Sequence, residues 1–228
     1  MPTRASFFLY SFFLALLGDL IFVAIGQHEL RQVSKPLIIL FLLGYFIISL
    51  NTTPSSLKKW MILALAFSWT GDVLLLFDKE DPLFFILGLS SFLIAHIFYI
   101  IFFNRVRMTE RVRGKPGLLL IVIVYYAILI YLLSPFLFDL KIPVRVYAVV
   151  ICFMFMLGMH MLYISNRKSG LLLMLGSLLF VLSDSILAIN KFYYSFAAAD
   201  ILVMLTYGAA QLMIAEGAIR YIRPNSLS

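Results

Sequence analysis

Eight apolar runs dominate the chain, at about residues 5–26, 36–50, 59–77, 83–103, 116–134, 144–164, 170–190 and 198–221. A helix rises 1.5 Å per residue and a bilayer core is about 30 Å thick, so one crossing takes about 20 apolar residues. Eight crossings use roughly 160 positions of a 228-residue chain. Short punctuation separates them: Asn51-Thr52-Thr53-Pro54, Asp78 to Pro82, Arg105 to Pro116, and Ser134-Pro135 with Pro143. No link is long enough for a soluble domain, so function has to lie among the helices. The composition agrees, with 63% hydrophobic and only 13% charged residues, where a soluble domain carries roughly 25% charged. That excludes a soluble globular protein, a disordered chain and a nucleic-acid-binding module. The expectation is an all-α, polytopic membrane protein: residues 1–228 as a single domain of eight transmembrane helices in one bundle. The second run is the shortest, and Lys35-Pro36 is expected to open it, since proline suits a first helical turn. The run after Arg4 lacks a small-x-small cleavage site and reads as an uncleaved first helix.

The net charge of +7 is explained by topology rather than by an acidic partner. Numbering the links alternately, the N-terminus, even links and C-terminus hold Arg4, Lys58, Lys59, Arg105, Arg107, Arg111, Arg113, Lys115, Arg167, Lys168, Arg220 and Arg223. The odd links hold only Arg31, Lys35, Lys79, Lys141, Arg145 and Lys191, together with the acids Glu29, Asp78, Glu80, Asp81, Asp139 and Asp200. Cationic loops stay on the cytoplasmic side, so both termini are expected there. An odd number of spans would scramble the split. The lone cysteine, Cys152, lies in the apolar run VVICFMFM and reads as a small buried hydrophobe.

Three acids interrupt the apolar runs: Asp19 in LLGDLIFV, Asp72 in WTGDVLLLF and Asp184 in VLSDSILAI. A charge at bilayer depth costs several kcal/mol, which makes each a candidate for function. All three are on odd-numbered, outward-running helices, about 14 residues past the start, or about 21 Å into the core. They would share a layer in the outer half. Other polar residues reach toward it. Lys35 starts the second span, Tyr147 is one turn into the sixth, and Asn190 ends the seventh. Tyr207 and Gln211 share a face of the eighth at i, i+4, and His96 and Tyr99 lie nearer the middle of the fourth. Structural roles compete with each: polar helix contacts for the acids, snorkelling for Lys35, aromatic belts for the tyrosines, a satisfied bundle position for His96. Glu216 is expected to be structural, and Gly158 and Gly208 to permit close helix approach.

The expected depths separate His28, His96 and His160, so a histidine-rich metal site does not fit, and neither a nucleophile elbow nor a phosphate loop occurs. A pair of aspartates remains. Two nearby carboxylates share a proton, giving one acid and one anion. Glycosidases use such a pair to protonate a substrate and stabilise an oxocarbenium-like state.

At these residues the chain resembles the YhhN-like lysoplasmalogenase family of integral membrane hydrolases. The resemblance rests on Lys35-Pro36-Leu37, Thr70-Gly71-Asp72, His96 with Tyr99, Phe180-Val181-Leu182-Ser183-Asp184, and Tyr207 with Gln211 and Gly217. It covers nearly the whole chain; each motif is weak, and their order makes the match specific. Asp19 has no evident place in it. The resemblance implies hydrolysis of the vinyl-ether bond of lysoplasmalogens to a fatty aldehyde and glycerophosphoethanolamine or glycerophosphocholine. Asp72 and Asp184 would then be catalytic, in an unassigned order. Lys35, Tyr99, Tyr147, Asn190, Tyr207, Gln211, His96 and Asp19 would bind substrate, with membrane lipids as surroundings and no metal or organic cofactor.

Two other classes use buried acids. An intramembrane aspartyl protease would need Gly-x-Gly-Asp, where this chain has Thr-Gly-Asp, and a Pro-Ala-Leu element, which is missing. A proton-coupled transporter or lipid-binding protein would also carry them, but no clear inverted repeat accompanies them. The compact loops favour a bacterial inner membrane, with the endoplasmic reticulum as the alternative.

Overall fold

A computed structural model describes residues 3–223. Eight helices account for the fold: α1 (Arg4–Ala24), α2 (His28–Ser49), α3 (Lys58–Leu75), α4 (Pro82–Thr109), α5 (Pro116–Leu133), α6 (Lys141–His160), α7 (Arg167–Ala188) and α8 (Ala199–Ile222). No strand occurs among the described residues. Local chemistry sets several starts. The Thr3 hydroxyl accepts from the Ser6 amide, Asp81 from Leu83 and Asn166 from Ser169, each satisfying an orphan donor. Pro82 and Pro116 occupy first-turn positions, where a missing N–H costs nothing. Among the described residues seven helices are long and apolar enough to cross a membrane. The other, α3, has 18 residues and carries Lys58, Lys59 and Asp72.

The second span departs from expectation. α2 starts at His28, and Pro36 lies inside it. The short apolar run marks only its lipid-depth portion, because its polar opening, HELRQVSK, carries no hydrophobic signal. Lys35 therefore sits within the helix rather than at its mouth. α4 likewise outlasts its apolar run, ending at Thr109, and Arg111 turns the chain away with φ 53°.

The pairs α1–α2, α3–α4 and α7–α8 pack most extensively, α4 and α6 cross, and α8 also meets α1, α2 and α3. α5 packs chiefly on α6. The centre is aromatic, with Phe12, Phe46, Tyr99, Phe102, Phe103 and Phe180 fully buried, while Leu14, Leu120, Ile128 and Phe153 face outward. Apolar outside as well as inside is what a bilayer demands.

Links of like parity gather at one end. Ser165 donates its amide (2.9 Å) and hydroxyl (2.6 Å) to Glu110, bonds that hold the Glu110 carboxyl below its ordinary range. The Lys115 amide donates to His160 Nε2 at 3.2 Å, and Asn166 donates to the Arg220 carbonyl at 3.1 Å. At the opposite end Lys191 meets Asp78 at 2.7 Å and Arg31 meets Asp200 at 3.7 Å. Glu216 has the expected structural role, accepting from Tyr45 at 2.8 Å and pairing with Arg220 at 2.7 Å.

Gly158 and Gly208 mark close approaches. A Cβ at Gly208 would come within 2.9 Å of Leu16, and one at Gly158 within 2.7 Å of the Ser177 Cβ. Gly158→Ala must push α6 from α7, and overpacking of this kind costs about 1–3 kcal/mol. A lower unfolding temperature of the purified variant is expected; an unchanged one would show that the helices part freely.

Candidate active site

For two of the three buried acids the preceding small residue sits in a contact between helices. At Gly71 a Cβ would lie 2.6 Å from the Phe92 ring, so glycine lets α4 close on α3 and turns Asp72 inward. Phe92 continues the contact edge-on to Tyr207, ring centres 5.9 Å apart. Ser183 donates to the Val203 carbonyl at 3.0 Å, tying α7 to α8 just before Asp184. Gly18 differs. A Cβ there would meet only its own helix neighbour Phe22, at 3.9 Å, so the Gly-Asp at Asp19 does not mark a helix contact.

All three acids lie near the same end, as their spacing predicts. Asp72 is three residues before the end of α3, Asp184 four before the end of α7, and Asp19 five before the end of α1. Their surroundings diverge. Asp72 is 3.6 Å from the Lys35 ammonium and accepts the Tyr207 hydroxyl at 2.6 Å. Asp184 accepts the Tyr147 hydroxyl, and its Oδ2 is 3.8 Å from His96 Nε2. His96 Nδ1 is 2.6 Å from the Phe92 carbonyl. A carbonyl only accepts, so Nδ1 carries the hydrogen, and Nε2, buried and without another partner, faces Asp184. Asp19 accepts from Ser34 at 2.8 Å and lies 3.5 Å from Arg31.

Asp72 and Asp184 line one chamber, with Lys35, Tyr147 and Tyr207. Its walls are apolar, from Phe85, Phe92, Leu129, Leu133, Ile151 and Phe192 among others, and it offers about 90 Å³ to the centre of a water molecule. It adjoins a wider, more polar vestibule of about 610 Å³ at the odd-link end, reached by Asn190, Arg31, Asp78, Lys191 and Asp200. Lys35, Leu75, Phe85, Leu187, Val203 and Met204 border both spaces.

The predicted residues thus fall into groups. Lys35, Asp72, Tyr147, Asp184 and Tyr207 meet at the chamber. His96 stands directly behind Asp184. Tyr99 donates to Gln211 Oε1 at 2.5 Å; both are fully buried beneath the chamber without lining it. Asn190 borders only the vestibule, where its side chain accepts the Phe196 amide at 3.2 Å and shapes the turn after α7. Asp19 lines neither space.

Three participants are not evident from sequence. Tyr125, in an otherwise apolar run, lines the chamber and hydrogen-bonds Ser185 at 2.6 Å; only the serine directly after Asp184 hints at it. Arg31 falls in a link when α2 is started at its apolar run rather than at His28. Ser34, which donates to Asp19 Oδ1, is hidden for the same reason.

The YhhN family model matches residues 30–218. That stretch contains every candidate named above except Asp19. Lysoplasmalogenase TMEM86B of Rattus norvegicus is 30% identical over 172 residues, covering 73% of this chain and 65% of that protein. Lysoplasmalogenase TMEM86A of Bos taurus is 31% identical over 190 residues, 81% of this chain and 75% of that protein. A lysoplasmalogenase of Mycobacterium bovis is 29% identical over 163 residues, 70% of this chain and 60% of that protein. The chain spans just under two thirds of the rat relative's length. No solved structure matches it.

Proposed function

The chain belongs to the YhhN family, and from that premise we propose that it is a lysoplasmalogenase, a multi-pass membrane hydrolase cleaving the vinyl-ether bond of lysoplasmalogens. The relatives' names supply the reaction. The observation that carries it to this molecule is the pair of aspartates opening on one apolar chamber with unlike partners. Asp72 has a cation beside it and serves as the anion. Among the described residues Asp184 has no lysine or arginine partner; it faces a histidine nitrogen and a tyrosine hydroxyl, and serves as the proton donor.

Vinyl-ether hydrolysis starts with a proton placed on the alkenyl carbon distal to oxygen. Asp184 gives that proton, and the electron pair of the C=C bond takes it. Positive charge develops on the adjacent carbon and the ether oxygen, where the Asp72 carboxylate stabilises it. Water adds to that carbon and returns a proton to Asp184. The resulting hemiacetal breaks its C–O bond, and the hydroxyl proton passes to the departing glycerol oxygen. The net change is one water consumed. The Tyr147 hydroxyl positions Asp184, and His96 Nε2, 3.8 Å away, can accept its proton between steps. The chamber's apolar walls suit the alkenyl chain of a lysolipid. The vestibule takes the headgroup, and the scissile bond of an amphiphile lies just below its headgroup.

The cation-rich even links would face the cytoplasm, and the vestibule the other side. Short links fit a bacterial inner membrane, with the endoplasmic reticulum as the alternative. The test is mass spectrometry of products after purified protein meets mixed lysophospholipids. Fatty aldehyde from the vinyl-ether lipid, and none from its saturated ether counterpart, is expected; depletion of lipid without chemical products would mean transport or binding instead. Lys35→Ala should raise KM about tenfold through loss of one charge-assisted contact to phosphate, with a smaller fall in kcat, and should lower the unfolding temperature because it strands the buried Asp72 carboxylate. Steady-state kinetics showing an unchanged KM would remove its headgroup role.

A further inference from the structure

Arg31 is largely enclosed and lacks a tight partner. Its side chain is 13% exposed, and a guanidinium carries five N–H donors. Among the described residues none of them reaches hydrogen-bonding distance. Asp19 Oδ1 stands 3.5 Å from Nε, Asp200 Oδ2 stands 3.7 Å from Nη1, and Nε is buried without a hydrogen-bond partner. One helical turn further, Lys35 repeats the pattern, 12% exposed and 3.6 Å from Asp72. Residues spaced i, i+4 share a helix face, and this face borders the vestibule. Two cations are thus backed by fully buried carboxylates, while their donors stay short of any tight partner. Burying Nε without a partner is costly, and the remaining donors open on the vestibule, where an anion would complete them.

We propose that Arg31, with Lys35, is the binding site for a phosphate ester in the vestibule. The guanidinium fork takes two phosphate oxygens side by side, the recognition for which arginine geometry is suited, and the lysine ammonium takes a third. Lys35 borders both spaces, so a phosphate held here leaves the glycerol carbons to bridge down to the aspartates. Asp200, half-exposed at the rim, competes with the ligand for Arg31. That the ester is a lysolipid headgroup rests on the lysoplasmalogenase reading; the anion site does not.

The test is isothermal titration of the full chain in detergent with three probes: 1-O-alkylglycero-3-phosphate, the matching 1-O-alkylglycerol, and inorganic phosphate. The saturated ether is not a substrate, so binding is read apart from turnover. Wild-type protein should bind the phospholipid about tenfold or more tighter than the alkylglycerol. Arg31→Gln should abolish that preference. Arg31→Gln also strips Asp19 of its cation, so Arg31→Lys, which keeps the charge but loses the fork, serves if the glutamine variant does not fold. A several-fold loss is expected there, and a several-fold gain in Asp200→Asn. Inorganic phosphate binding more tightly than the phospholipid would support the site and assign it to a soluble anion. Phospholipid binding more tightly assigns it to a headgroup. Equal binding of phospholipid and alkylglycerol to wild type would overturn the proposal, as would unchanged phospholipid affinity in both Arg31→Lys and Asp200→Asn. If Arg31-dependent binding persists while no aldehyde forms from a vinyl-ether lysolipid, the hydrolase reading fails and the site stands. If aldehyde forms without Arg31-dependent binding, the site fails and the hydrolase reading stands.

Discussion

Asp184→Asn is expected to lower kcat for vinyl-ether hydrolysis about 10²–10⁴-fold, the range for loss of a positioned general acid. The amide matches the carboxyl in shape and can still accept the Tyr147 hydroxyl, so the chamber keeps its form. What it lacks is a transferable proton. The affinity for a saturated ether lysolipid, which needs no proton, should change little. The residual rate should rise tenfold for each unit by which pH falls, because hydronium then becomes the donor; wild type should not follow that line. A folded variant with near-normal turnover would remove Asp184 from the acid role. His96 supplies a second reading of the same assignment. Its Nε2 sits 3.8 Å from Asp184 with no other partner, so His96→Phe should slow turnover and leave lysolipid affinity in place.

The helical bundle is legible in the sequence because a bilayer enforces a simple rule, that a crossing segment must be apolar and of fixed length. The rule fails where a helix leaves the hydrocarbon. α2 is the instructive case: its first eight residues, His28 to Lys35, are helical but polar, so apolar length puts Lys35 at the boundary and leaves Arg31 outside the helix. The shared depth of Asp19, Asp72 and Asp184 is legible for a similar reason, since residue count along a helix converts directly to distance. Which of the three meet is not, because facing depends on rotation about each helix axis. The structure resolves that through the residue before each acid. Gly71 and Ser183 sit in interhelical contacts, and Gly18 does not. Tyr125 shows the limit from the other side. Nothing in an apolar run distinguishes a tyrosine lining a cavity from one in an aromatic belt, and only its 2.6 Å bond to Ser185 does so.

Asp72→Asn carries the second large effect, and it mixes two causes that can be separated. Losing the carboxylate removes the charge facing the oxocarbenium-like state. Electrostatic groups of this kind are worth about 10²–10³-fold in kcat. It also strands the Lys35 ammonium, which is 12% exposed and 3.6 Å from Asp72, and breaking a buried ion pair from one side costs about 3–5 kcal/mol of stability. A single variant that loses activity and melts early would therefore say little about chemistry. The double variant Asp72→Asn with Lys35→Met removes both charges, a change that is often nearly neutral for stability. Thermal unfolding should return toward wild type in the double variant while kcat for aldehyde release stays at the level of the single one and KM rises as it does on losing Lys35. Recovery of turnover together with stability would mean that Asp72 serves only to hold Lys35, and the anion in the mechanism would have to be sought elsewhere in the chamber.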